Sequence, residues 1–148
     1  MNNILKRSLD NLIMAIILCA ATYNIHAAQC PELNEFSKTK INNKETLVPP
    51  TDWKLTAANG TLYLDVYEQV NSFYSALYLS SWPSNLSMHP AGNPGIMCGY
   101  SSPDITTYLA ISKVFSSAPT LSNNWEKSSD SVFSCLPADK KTSSCTWE

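Results

Sequence analysis

The sequence predicts a mainly β protein, or an α+β protein with little helix. The expected form is one small antiparallel sheet or sandwich-like domain stapled by two disulfides. Three observations lead there. Turn signals built from Pro, Gly, Asn and Ser recur about every ten residues, the rhythm of antiparallel β architecture. No long stretch repeats apolar residues at helical spacing. Four cysteines, Cys30, Cys98, Cys135 and Cys145, follow a short apolar segment, and an even cysteine count in a short exported chain reads as a disulfide framework.

The apolar segment has the three parts of a secretory signal. Lys6 and Arg7 precede the run Leu12–Ala21, and small residues close it at Ala27 and Ala28. The run is about half of the roughly 20 residues that a membrane-spanning helix needs. Residues 1–27 are therefore expected to be a signal peptide cleaved after Ala27 or Ala28, and 28–148 one stapled, exported β domain with no membrane span. The predicted location is periplasmic or extracellular. Cys19 lies inside the run and leaves with it.

Cys30 to Phe36 opens the exported part as an extended lead-in or one helical turn, since Leu33 and Phe36 are three apart. Ser37 to Glu45 is polar and reads as a loop or hairpin tip. Pro49-Pro50 forbids helix, and Asn59-Gly60 is a strong turn signal. From Thr61 to Glu68, Leu62, Leu64 and Val66 alternate with Tyr63, Asp65 and Tyr67, the mark of a half-buried strand. Phe73 to Trp82 is β-rich and aromatic. Ser81 to Gly95 holds Pro83, Pro90, Gly92 and Pro94 and reads as a long loop. Strands are expected at Ile96–Tyr100, with Ile96, Cys98 and Tyr100 on one face, and at Thr107–Phe115. Shorter β segments follow around Trp125–Lys127, Val132–Cys135 and Cys145–Trp147.

Four cysteines allow three pairings. The preferred one joins Cys135 to Cys145, because the polar loop Leu136–Ser144 can bring two strand ends together, and Cys30 to Cys98, tying the start of the exported part to a central strand. A zinc site would call for closely spaced ligand pairs such as CxxC, and the sequence has none. No metal or other cofactor is predicted.

The formal net charge is −2, from ten basic and twelve acidic residues. Arg7 is the sole arginine and leaves with the signal, so the remainder lacks the planar fork that reads guanine or clamps phosphate. Nucleic acid and anionic membrane surfaces are not expected partners.

The order of residues is familiar as a frame. Cys30-Pro31 leads to Trp53, then Phe73–Tyr78, Cys98-Gly99-Tyr100, Trp125, Phe133-Ser134-Cys135 and Cys145-Thr146-Trp147. It resembles a group of small exported proteins of Gram-negative bacteria, several from intracellular parasites, with no assigned function. This chain differs in closing on Trp147 where Phe is more usual, and in a longer Pro/Gly loop before Cys98. The resemblance implies a stapled β domain outside the cytoplasm and brings no catalytic residues with it.

Candidate chemistry is sparse. His26 and His89 are the two histidines, and only His89 remains after signal removal, so any Ser-His machinery has to use it. It sits in Met88-His89-Pro90, without a GxSxG elbow, and reads as a solvated loop residue. Asp65 and Glu68 lie three apart on a strand and face opposite ways. Asp52 and Asp104 flank turns, where Asp is favoured, though they are free to meet in space. No catalytic residue is assigned. Exposed aromatics are the better signal: Tyr63 and Tyr67 share a strand face, and with Trp82 and His89 they form the predicted binding surface. The expected function is an exported, non-enzymatic module that binds a protein or glycan. The alternatives are a small hydrolase using His89 or a carboxylate pair, and an inhibitor of a host or competitor enzyme.

Overall fold

The protein is described here from a computed structural model covering residues 27–41, 44–56, 70–86, 88–104 and 108–148. Ten strands run in chain order: β1 Ala28–Gln29, β2 Ser37–Ile41, β3 Lys44–Val48, β4 Lys54–Thr56, β5 Ser72–Leu79, β6 Gly95–Ser101, β7 Tyr108–Val114, β8 Glu126–Ser129, β9 Val132–Cys135 and β10 Thr146–Trp147. Two 3₁₀ turns, Leu33–Glu35 and Thr142–Ser144, are the helical elements among the described residues. The chain is mainly β, as its turn rhythm predicts. No helix among the described residues is long and apolar enough to cross a membrane.

Six strands form an antiparallel sheet in the order β4-β7-β6-β5-β9-β8. The polar segment from Ser37 is a hairpin, β2 on β3. The short strand β1 pairs with β10, bringing the start of the described chain to its end. The alternating strand expected at Thr61–Glu68 lies outside the described residues.

Register explains the core. Directly paired residues of antiparallel strands point to the same face. One cross-strand row therefore reads Leu55, Ile111, Cys98, Ala76 and Cys135 over β4, β7, β6, β5 and β9. A second row holds Leu109, Tyr100 and Phe73, and a third holds Ile96, Tyr78 and Phe133. Chain segments from both ends cover this face, contributing Cys30, Phe36, Leu47, Trp125, Cys145 and Trp147. The disulfides are Cys30–Cys98 and Cys135–Cys145. Both are inaccessible and rise from one row on either side of Ala76, itself 0% exposed. A larger side chain at position 76 would crowd two cystines at once.

Tyr100 closes the core behind this row. Its ring meets Phe36 and Phe73 edge-on at 5.6 and 5.7 Å, and its hydroxyl donates to the Pro31 carbonyl at 2.6 Å. Burial drives its pKa far above the ordinary tyrosine range, with the charges of Glu32 and Glu35 adding to the effect. Tyr100→Phe keeps the ring contacts and orphans the buried carbonyl. The expected loss is about 1–3 kcal/mol, seen as a lower denaturant midpoint at unchanged slope. A midpoint equal to wild type would show that the hydroxyl contributes nothing.

The opposite face is lined by small residues. Gly95, Gly99, Ser75, Ser101, Ala110 and Ser112 are all buried there. A Cβ at Gly95 would lie 2.9 Å from both the Lys113 carbonyl and the Trp82 ring, and one at Gly99 would collide with the Tyr108 hydroxyl. Glycine at these points lets aromatic rings lie against the strand backbone.

Candidate functional site

The loop after β5 folds back onto that second face. The Trp82 amide donates to the Asn93 carbonyl (2.6 Å), and the Gly92 amide returns to the Trp82 carbonyl (3.0 Å). Gly92 adopts φ 88°, the left-handed conformation that glycine tolerates. The Trp82 indole N–H donates to the Leu86 carbonyl at 3.1 Å. This closed loop delivers His89 to the sheet. Its Nε2 lies 2.9 Å from Ser112 Oγ on β7, and its ring meets Trp82 edge-on at 4.8 Å. The Ser112 hydroxyl also approaches Met88 Sδ at 3.7 Å as a donor. Lys54 Nζ on β4 holds the Met88 carbonyl at 2.7 Å.

A serine hydroxyl at hydrogen-bond distance from a histidine is the first requirement of acyl-transfer chemistry. The remaining requirements are not met among the described residues. Ser112 is 0% exposed and cannot approach a substrate. The imidazole is 8% exposed and meets no carboxylate. Burial lowers the His89 pKa, and the Lys54 charge lowers it further. The predicted binding surface changes accordingly. Trp82, at 1% exposure, and His89 are packed against the sheet instead of facing solvent, because Gly95 and Ser112 leave room beneath them. Tyr63 and Tyr67 lie outside the described residues.

Carboxylate pairing fails for a geometric reason. Asp52 stands at φ 73° before β4 and pairs with Lys113 at 3.7 Å. Asp104 follows β6 and accepts from the Ser102 hydroxyl. Lys113 sits opposite Ile96, near the start of β6, whereas Asp104 follows its last residue, Ser101. Five residues of strand, roughly 17 Å, separate the two ends. Asp65 and Glu68 lie outside the described residues. No three His, Cys, Asp or Glu side chains gather as a metal-ligand set among the described residues.

An open feature lies elsewhere among the described residues. A cleft of about 440 Å³ runs between the turn into β8 and the loop after β9. It is lined by Asn123, Asn124, Glu126, Leu136, Pro137 and Asp139, with Cys135 and Ser144 at its base. The short disulfide closes the loop and so sets the cleft's shape. Asn124 Nδ2 donates to the Ser144 carbonyl at 2.7 Å. The Asp139 carboxylate accepts from the Ser144 hydroxyl (2.9 and 3.1 Å) and from the Lys141 amide (3.1 Å). Those bonds, led by the Lys141 amide, hold its pKa below the usual carboxylate range. Leu136 projects into solvent at 66% exposure, the most exposed of the large apolar side chains among the described residues. Sequence reasoning passes over this cleft, since Leu136–Ser144 reads only as a connection between cysteines. The available signal was Leu136 itself, an apolar residue in an otherwise polar loop. No family model, curated protein or solved structure matches this chain.

Proposed function

We propose that the protein is an exported interaction module that works by contact and carries out no covalent chemistry. The cleft at the C-terminal staple carries this reading. It combines a protruding leucine, two side-chain amides and two carboxylates on a loop closed by a disulfide. Such a mixture of one apolar anchor and adaptable polar groups suits a polypeptide partner. The lining has no aromatic ring on which a sugar would stack, so a protein fits it better than a glycan. Export agrees with two disulfides, and membership of the exported Gram-negative group with this cysteine frame belongs to the same reading. The Ser112–His89 contact is the observation that favours a hydrolase, and the enclosure of Ser112 stands against it.

A photo-crosslinking residue at position 136, compared with one at Val48 on β3, tests the module in cells that export the protein. Val48 is exposed (38%) and does not line the cleft. Position 136 is expected to give discrete protein adducts that position 48 does not. Asn124→Ala or Glu126→Lys should weaken capture by about tenfold, the effect of losing more than a kilocalorie at an interface. Equal labelling from both positions, or none from either, would exclude the cleft as the contact surface. Ser112→Ala addresses the rival: a phenotype lost with that hydroxyl, in a protein that still folds, would favour the hydrolase.

A further inference from the structure

His89 occupies an unusual position for the only histidine that survives signal removal. It is buried, yet it lies on a loop. The side-chain contacts holding it there are the Ser112 hydroxyl, the Trp82 ring and the Lys54–Met88 bond, while backbone bonds fix the far end of the loop, Gly92 and Asn93 to Trp82 and the Pro94 carbonyl to the Phe115 amide. We propose that His89 is a pH-sensitive latch: while neutral it keeps the segment Met88–Ala91 closed on the small-residue face of the sheet, and protonation releases it about the backbone bonds that hold Gly92 to Pro94. Opening uncovers Ser112 and the edge of the Trp82 ring that His89 meets.

The charges around the ring set the direction. From β4 the facing charged group is Lys54, whose ammonium is tied to the residue next to His89. From β7 it is Ser112, uncharged; the adjacent Lys113 is paired with Asp52. From the loop itself the ring meets Trp82 and Met88, both neutral. No carboxylate among the described residues touches the imidazole. A second proton therefore places a full charge in an enclosed site beside an existing cation. Contact with the Trp82 ring offsets part of that cost but supplies no counter-charge. Burial, followed by Lys54, correspondingly lowers the pKa from 6.5.

The pH window follows from linkage. Above about pH 7 the ring is neutral whether the loop is closed or open, and the closed form has its full stability. As pH falls below 6.5 the open form binds a proton that the closed form refuses, so closure weakens. Within the window between the two pKa values, the opening equilibrium grows by about tenfold per pH unit. Asp and Glu titrate mainly below this range and the new α-amino group at its upper end, so comparison with His89→Gln isolates the imidazole.

Two measurements test the latch on the signal-free, oxidised protein. In the wild type, the imidazole C–H resonances of His89 should titrate below pH 6.5, and amide exchange across Met88–Ala91, corrected for its intrinsic pH dependence, should accelerate as pH falls from 7.5 to 5.5. His89→Gln keeps a polar group near Ser112 without the titration, and its corrected exchange should be independent of pH over this range. An imidazole that titrates at or above 6.5 overturns the proposal without requiring any variant to fold. So does acceleration of the same size in wild type and in His89→Gln.

Discussion

Replacing Cys30 and Cys98 together with alanine is expected to remove about 4 kcal/mol of stability, against about 3 kcal/mol for the Cys135/Cys145 pair. The difference comes from the loops they close. The first joins residues 68 apart and the second residues only 10 apart, and in the chain-entropy model the restriction on the unfolded chain grows with the logarithm of that separation. Packing adds to the gap. Cys30 anchors the lead-in whose Pro31 carbonyl receives the Tyr100 hydroxyl and whose Glu32 carboxylate accepts from the buried Thr142 hydroxyl. Freeing Cys30 loosens both links. A loss of about 4 kcal/mol is a large share of the 5–15 kcal/mol that typical domains possess. Denaturant titration of the two double variants ranks them directly. Equal losses, or a larger loss from the short loop, would contradict the assignment of Cys30–Cys98 as the principal staple.

Trp147→Ala carries the second large effect, an expected loss of about 3–5 kcal/mol for a buried aromatic cut back to a methyl group. The residue is 4% exposed. Its ring meets Trp53, Phe115 and Trp125 edge-on at 6.3, 6.3 and 6.4 Å. Trp53 and Phe115 flank the paired strands β4 and β7, while Trp125 leads into β8 at the opposite edge of the sheet, so the indole ties the covering segments to both edges. Its backbone pairs with Ala28 on one side and Leu121 on the other. Trp147→Phe retains a ring in the same place and should recover more than half of the loss. If the alanine variant unfolds at the wild-type midpoint, the cluster contributes little and the covering layer is held by the disulfides alone.

Much of this architecture is readable from residues because β-strands announce themselves locally. Aromatic and apolar content marks β5, alternation marks β6 and β-branched residues help mark β7, and their turns fall where Pro, Gly, Asn or Ser interrupts. Of the three possible pairings, the one preferred from the short polar loop is the one present, Cys30–Cys98 and Cys135–Cys145. The state of Trp82 and His89 is not readable in the same way. Pro83, Pro90, Gly92 and Pro94 make their segment look solvated, and proline and glycine do report correctly that it is neither helix nor strand. They are silent on whether the loop turns outward or lies down on the sheet. That depends on Gly95 and Ser112, small residues whose common face appears only once register is known. The cleft is hidden for a similar reason: its walls come from the turn before β8 and the loop after β9, adjacent only because β8 and β9 pair.

The connectivity of the two cystines has a consequence for biogenesis. Numbered along the chain, the first cysteine of the frame joins the second and the third joins the fourth. On the proposed reading of the chain as exported, threading amino end first into an oxidising compartment presents Cys30 and Cys98 as a complete couple before Cys135 has arrived. Oxidation in order of emergence then yields the native bonds directly. Such a chain depends on an oxidase to make its disulfides but has no built-in demand for an isomerase to rearrange them.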